Sequence, residues 1–227
     1  MTDVAVVDYG MGNLHSVAKA IEHVAPRLKV AVTNDAKVVA RASRVVFPGQ
    51  GAMPDCVREM DAMGLRDAVL EAARAKPFLG ICIGLQMLFE TSEEGDTRGL
   101  GLLPGRVRRF PADRMVDARG MKLKVPHMGW NEVRQTVPHP LWEGIPQGCC
   151  FYFVHSYFPD PGGGGLTAGE SIYGVPFTCA AARGNIFAVQ FHPEKSESAG
   201  LRLFANFLAW QPAEPNPGQK TATFPAA

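Results

Sequence analysis

The sequence has no excess of charge of either sign and no long hydrophobic run. Its 23 Lys and Arg residues balance 22 Asp and Glu residues, which leaves a formal net charge of +1. Such a balance gives no support to a role on nucleic acid or on a membrane surface. No apolar run approaches the roughly 20 residues needed to cross a bilayer. Because the amino terminus also lacks the basic region and cleavage site of a signal peptide, we expect a cytoplasmic protein that binds neither nucleic acid nor membrane.

Motifs for metals and phosphates are missing as well. The five cysteines form no CxxC pair, and the six histidines show neither H-x-x-x-H nor H-E-x-x-H spacing. We therefore expect no metal site and no cofactor, and the sequence gives a metal hydrolase little support. An odd number of cysteines, with Cys149 and Cys150 adjacent, is a poor framework for disulfides and indicates a reducing compartment.

Short apolar segments alternate with segments of helical spacing through the first half of the chain. This alternation is typical of a parallel sheet whose strands are connected by helices that flank it. The pattern predicts strands at 4–8, 30–33, 44–47 and 78–81, and helices at 14–24 and 55–75.

The second half is rich in strands and in turns that contain Gly and Pro, which indicates antiparallel additions to the parallel sheet. Strands are predicted at 106–110, 122–125, 149–157, 177–183 and 186–191, followed by a helix at 198–210 that starts at Ser198. These segments predict a single α/β domain over residues 1–210. Residues 211–227 are rich in proline and poor in apolar side chains, so we expect a disordered tail there.

A sharp turn around Cys82 is the first feature that indicates chemistry. A buried apolar strand is predicted to end at the turn, a helix is predicted after it, and Gly80 and Gly84 lie two residues on either side of the cysteine. The serine version of this pattern is the nucleophile elbow, in which the side chain at the turn is presented above the sheet. A thiolate is the reactive form of cysteine, and a helix N-terminus favours it.

A thiol nucleophile needs a base, and the base needs a group that orients it. Of the six histidines, only His192 follows an apolar strand and has a carboxylate close by, at Glu194. Pro193 between them keeps the chain extended, so that the two side chains can lie on one side and meet. Cys82, His192 and Glu194 are therefore the candidate catalytic residues.

The segments 80–86 (GICIGLQ) and 190–194 (QFHPE) together resemble the class I, or triad, glutamine amidotransferases. The resemblance implies a flavodoxin-like α/β fold in which Cys82 attacks the carboxamide of glutamine, His192 carries the proton and Glu194 orients His192. Segment 48–52 (PGQGA) is similar to the strand end that supplies backbone N–H groups to the oxyanion in this family. It implies that Gln50 and Ile83 are the two oxyanion donors.

Four further segments, at 8–13, 126–131, 152–157 and 194–196, resemble one branch of the family, the glutaminase subunits of imidazole glycerol phosphate synthase. This resemblance extends from about residue 3 to residue 210. It implies a heterodimer with a (β/α)8-barrel cyclase subunit. The cyclase would use the ammonia to make imidazole glycerol phosphate and aminoimidazole carboxamide ribotide in histidine biosynthesis.

The same branch assigns expected roles to further residues. Those expected to bind the glutamine substrate are Gly49, Gly51, Gln86, Glu94, Ser156 and Tyr157. Glu93 stays open as an alternative to Glu94. Those expected to meet the partner subunit are Asn13, Trp130 and Lys195.

Two other functions remain possible from the sequence. The first is a paralogous glutaminase that supplies ammonia to another synthase, for example one that aminates surface sugars. The second is a binding subunit without activity, although the intact Cys82, His192 and Glu194 argue against a degenerate triad.

Overall fold

The computed structural model describes residues 2–117 and 119–212, which form fourteen strands and six α-helices. The strands are β1 Val4–Val7, β2 Val30–Thr33, β3 Arg44–Gly49, β4 Phe78–Cys82, β5 Phe89–Ser92, β6 Thr97–Arg98, β7 Leu103–Arg109, β8 His127–Glu132, β9 Arg134–Gln135, β10 Cys150–His155, β11 Tyr157–Pro161, β12 Thr167–Tyr173, β13 Val175–Arg183 and β14 Ile186–Val189. The α-helices are α1 Leu14–Val24, α2 Ala36–Arg41, α3 Met53–Ala62, α4 Arg66–Ala75, α5 Ile83–Gln86 and α6 Glu197–Ala209. Short 3₁₀ turns cover Pro140–Trp142 and Pro193–Lys195.

The central sheet has eight strands in the order β2-β1-β3-β4-β14-β13-β12-β9. Its first five strands are parallel, and their order is that of the flavodoxin-like doubly wound fold. The strands β13, β12 and β9 continue the sheet in antiparallel fashion. The predicted fold class, a mostly parallel α/β sheet with antiparallel additions, is confirmed.

The parallel strands lie in the core because their sequences are apolar on both faces. Every residue of β1, β3, β4 and β14 is buried, as is usual for strands covered by helices on both sides. Helix α1 presents Val17, Ala18 and Ile21 to this core, and it packs against α6, while α2 packs against α4.

The remaining strands form two smaller sheets. Strands β8 and β10 form an antiparallel pair, and β11, β7, β5 and β6 form a four-stranded sheet. The predicted strand 149–157 is therefore two strands, which part at Ser156 and join different sheets.

Three other boundaries differ from the prediction. The helix expected at 55–75 is broken into α3 and α4, because Gly64 between them has a φ of +64°. The segment 122–125 alternates as a strand does, but it makes only a single bridge between Lys122 and Val116. The last helix starts at Glu197, with Ser196 rather than Ser198 as its N-cap.

The described residues reach Pro212, and the expected disordered tail lies almost entirely outside them. Within residues 2–117 and 119–212, no helix is both long and apolar enough to cross a membrane. The same residues contain no cluster of three or more His, Cys, Asp or Glu side chains that could hold a metal ion.

Candidate active site

The candidate site lies at the carboxyl edge of the parallel strands, where doubly wound sheets bind their ligands. Gly49 ends β3, Cys82 ends β4, and His192 follows β14. Since β4 is hydrogen-bonded to β3 on one side and to β14 on the other, the sheet order alone brings these three chain segments together.

Cys82 occupies a strained turn between β4 and α5. Its φ of 55° and ψ of −110° are sparsely populated for a residue with a side chain, and such a conformation costs about 1–3 kcal/mol. Gly84 makes the turn possible, because a Cβ at this position would overlap the carbonyl oxygen of Phe47. The turn has the geometry of a nucleophile elbow, although α5 is only one turn long, shorter than the sequence pattern suggested.

His192 and Glu194 are in direct contact. The Nδ1 atom of His192 and the Oε1 atom of Glu194 are 2.9 Å apart, and both side chains are almost fully buried. Because a ring nitrogen can donate to this carboxylate only when it carries a proton, Nε2 is the nitrogen left to exchange a proton with a substrate.

Cys82 and Glu194 both stabilise the protonated form of His192. Burial lowers the pKa of His192, but the charge of the Cys82 thiolate and its hydrogen bond, followed by the hydrogen bond and charge of Glu194, raise this pKa to about 10. A protonated histidine beside a cysteine is the arrangement that Cys–His catalytic pairs use.

Replacing Glu194 by Gln is expected to lower the pKa of His192, because the amide keeps the shape of the side chain but removes its negative charge. The pKa of His192 in the folded protein lies above its ordinary value of 6.5. Protonation of His192 therefore contributes fully to the stability of the fold below about pH 6.5, and this contribution is lost as pH rises through about 10. In Glu194→Gln this loss should be complete at a lower pH, because only the upper end of the range, the pKa of His192 in the folded protein, moves down. Titration of the His192 ring signals by NMR measures the shift directly.

Glu93→Gln is the matched control, since the Glu93 carboxylate accepts a hydrogen bond from the Arg109 backbone N–H, 2.9 Å away, and not from a histidine. The prediction fails if His192 titrates at the same pH in Glu194→Gln as in the wild type.

The backbone of His192 is held by a buried serine. The Ser196 hydroxyl donates to the carbonyl of His192 (2.6 Å) and accepts from the N–H of Tyr152 (3.0 Å). The N–H of His192 donates in turn to the carbonyl of Tyr152 (2.9 Å). These bonds fix the turn that carries His192 and Glu194 against β10.

A cavity of about 300 Å³ opens above the cysteine. It is lined by Gln50, Gly51, Cys82, Ile83, Pro126, Val154, Ser156, His192 and Lys195. Both predicted oxyanion residues, the candidate nucleophile and base, and two of the predicted substrate residues therefore face the same space.

Gln86 lies beneath this cavity and does not line it. Its amide nitrogen donates to the Tyr157 carbonyl (3.2 Å) and to the Gln190 side-chain oxygen (3.0 Å). Its own side-chain oxygen is buried and has no partner. A buried acceptor without a donor is costly in a folded protein, and the structure assigns no hydrogen-bond donor to this oxygen.

Gln190 is a site residue to which the sequence patterns assigned no role. It is fully buried, and its amide nitrogen lies 3.7 Å from the Cys82 sulfur. The signal was present, because Gln190 lies two residues before His192 at the end of the predicted strand 186–191, and alternate residues of a strand point to the same side.

Glu94 and Glu93 point to different surroundings. A Glu94 oxygen accepts the N–H of Met53 at the start of α3 (2.8 Å), beside the Gly51 loop that lines the cavity. Glu93 points to Arg108 and Arg109 on β7 instead. Of the two, Glu94 lies on the side of the candidate site.

Of the three residues expected to meet a partner, Lys195 lines the cavity, and the other two lie on elements close to it. The exposed Trp130 packs edge-on to Tyr152, with ring centroids 6.0 Å apart, and the Lys195 ammonium lies 5.9 Å from the same ring. Asn13 begins α1, which packs against the turn that contains Lys195.

The glutamine amidotransferase class-I family model matches residues 5–210 of this chain. The chain belongs to the class-I glutamine amidotransferases. For this amidotransferase the match covers every strand and helix described above except Val4, the first residue of β1.

The curated relatives of this amidotransferase are similar over almost the whole chain. Imidazole glycerol phosphate synthase subunit HisH of Aromatoleum aromaticum is 68% identical, over 93% of this chain and 100% of the relative. The proteins of the same name from Thiobacillus denitrificans and Nitrosospira multiformis are 67% and 65% identical, over 93% of this chain and 93% and 100% of the relatives.

Solved structures of more distant proteins share the fold of this amidotransferase. The PurLQS structure from Thermotoga maritima superimposes with a TM-score of 0.68 at 18% identity, over 92% of this chain and 99% of that one. A crystal structure described as a glutamine amidotransferase gives a TM-score of 0.66 at 18% identity, over 91% and 99% of the two chains.

Proposed function

We propose that this chain is the glutaminase subunit of imidazole glycerol phosphate synthase in histidine biosynthesis. It hydrolyses glutamine to glutamate and ammonia, and the ammonia passes to a (β/α)8-barrel cyclase subunit in a heterodimer. The single observation that carries the proposal is that relatives of this name are 65–68% identical over their full or nearly full length. A cytoplasmic location is part of the proposal, and the five free cysteines fit such a reducing compartment.

The first half of the reaction is acyl transfer to Cys82. The thiolate attacks the carboxamide carbon of glutamine. The oxygen of the tetrahedral intermediate then accepts hydrogen bonds from the backbone N–H groups of Gln50 and Ile83. Donors placed in this way contribute about 3–4 kcal/mol each to transition-state stabilisation. The His192 imidazolium then gives its proton to the leaving nitrogen, so that the C–N bond breaks, ammonia leaves and a glutamyl thioester remains.

The second half is hydrolysis of the thioester. His192, now neutral, takes a proton from water as the water attacks the carbonyl carbon. Collapse of the intermediate breaks the C–S bond, releases glutamate and restores the thiolate beside the imidazolium. Glu194 holds the tautomer of His192 through both halves, because its carboxylate accepts the Nδ1 proton.

The experiment that tests the function mixes this chain with a histidine-pathway cyclase, the cyclase's nucleotide substrate and glutamine. We expect glutamate and imidazole glycerol phosphate to form in equal amounts. Glutamate release without any cyclase product would instead indicate a glutaminase that serves another synthase. No glutamate release under any condition would contradict the proposal.

A further inference from the structure

Two buried side chains beneath the strand end at Pro48–Gly51 take no part in the chemistry proposed above. Tyr9 and Cys56 are both fully buried. The Tyr9 hydroxyl donates to the Pro48 carbonyl (2.7 Å), and the Cys56 thiol donates to the Gln50 carbonyl (3.4 Å). The two side chains therefore hold the carbonyls of the two residues that flank Gly49.

Both groups keep the protons that they donate. Burial raises the pKa of the Cys56 thiol to about 11 and raises the pKa of the Tyr9 hydroxyl well above its usual value. Each side chain is therefore a hydrogen-bond donor throughout the neutral pH range, and neither is a second nucleophile.

The pair contacts the strand end from the protein interior. Gln50 and Gly51 line the cavity over Cys82, whereas Tyr9 and Cys56 do not. Gly49 lies so close to Tyr9 that a Cβ at this position would overlap the tyrosine hydroxyl. The peptide between the two held carbonyls joins Gly49 to Gln50, and it carries the Gln50 N–H group.

We propose that Tyr9 and Cys56 form a clamp that positions the oxyanion-binding backbone. By fixing the Pro48 and Gln50 carbonyls, the clamp confines movement to the peptide between them and places the Gln50 N–H accurately against the substrate oxygen. The inference rests on the proposed glutaminase function. Tyr9 and Cys56 are positioning residues, since neither touches the substrate.

The test uses Cys56→Ala and Tyr9→Phe in the reconstituted complex, because each removes one donor with little change of shape. Loss of a whole oxyanion donor slows an enzyme about 10²–10³-fold, and a misplaced donor loses part of that, so we expect kcat for glutamine to fall about tenfold. KM should change by less than about twofold, because the donor acts mainly on the transition state. Cys56→Ser, which retains a donor, should recover most of the rate.

Two variants control for the loss of a buried thiol and for the loss of a hydrogen-bonded tyrosine hydroxyl as such. Cys179→Ala removes a fully buried thiol on β13. Tyr173→Phe removes a hydroxyl that donates to the Lys124 carbonyl (2.8 Å), away from the strand end. Both controls should retain the wild-type kcat.

Alkylation of Cys82 by iodoacetamide separates positioning from a general loss of structure. This reaction needs the thiolate but forms no oxyanion, so its rate at Cys82, followed by mass spectrometry, should be unchanged in the clamp variants. Ammonia-dependent synthesis should be unchanged too. If alkylation, ammonia-dependent synthesis and turnover all fall together, or if the controls lose as much kcat, the residues are merely structural and the clamp is wrong.

The remaining outcomes distinguish the clamp from the function on which it rests. If the wild-type complex releases glutamate and both clamp variants match it, the clamp is overturned and the glutaminase function stands. If the wild-type complex releases no glutamate, the proposed function fails and the clamp fails with it.

Discussion

In the reconstituted complex, Cys82→Ala is expected to abolish glutamine-dependent synthesis and to leave ammonia-dependent synthesis at the wild-type rate. Cys82 is the thiol that lines the cavity, and without it no thioester forms. Removing a covalent nucleophile costs about 10⁴-fold or more. Added ammonia enters downstream of this step, so the cyclase does not need the cysteine.

The measurement compares product formation from glutamine with product formation from excess ammonium salt at mildly alkaline pH. Cys150→Ala is the control, because Cys150 is an exposed free thiol outside the cavity over Cys82, and it should behave as the wild type in both assays. If ammonia fails to rescue Cys82→Ala, the substitution has damaged the fold or the interface, and the nucleophile assignment is unsupported.

The isolated chain is expected to hydrolyse glutamine about 10²–10³-fold more slowly than the complex with the cyclase and its nucleotide, a deficit equivalent to one missing oxyanion donor. Gly49 and Gly51 flank Gln50, and glycine permits backbone rotations that other residues resist. The peptide between Gly49 and Gln50 can therefore turn, and with its N–H directed away from Cys82 the donor is lost.

A partner can reorient that peptide only if it binds one orientation more tightly than the other. Gln50 and Gly51 share the cavity lining with the exposed Lys195, one of the residues expected to meet the cyclase. Steady-state glutamate release by the chain alone and by the complex with nucleotide measures the difference. Equal rates would exclude the switch and leave the roles of Cys82, His192 and Glu194 unaffected.

The parallel half of the fold was predictable because its strands are buried on both faces. Strands such as β1 and β4 appear in the sequence as short apolar runs, and the predicted bounds agree with the structure to within a residue. The strands of the antiparallel half were harder to predict from the sequence. β8 contains His, Gly, Asn and Glu and becomes a strand by pairing with β10, while Gly169 interrupts β12 and shifts its register.

For the site, too, local sequence motifs were informative, whereas contacts between segments far apart in the chain could not be predicted. Motif spacing was enough to single out Cys82, His192 and Glu194, and the structure brings them together, although their catalytic roles remain predictions. Contacts between distant segments carried no such signal. Nothing local to Tyr9 indicates that its hydroxyl reaches the Pro48 carbonyl, because the pairing of β1 with β3 sets that distance.

The position of β14 has a consequence for how the chain folds while it is synthesised on the ribosome. This strand, the last one within the described residues 2–117 and 119–212, lies inside the sheet, between β4 and β13. His192 and Glu194, which follow it, therefore leave the ribosome after all fourteen strands described above have been made. Until β14 inserts between β4 and β13, the antiparallel strands of the central sheet are not hydrogen-bonded to its other parallel strands. A nascent chain thus contains Cys82 before it contains His192. By this reasoning it cannot hydrolyse glutamine before it has folded completely.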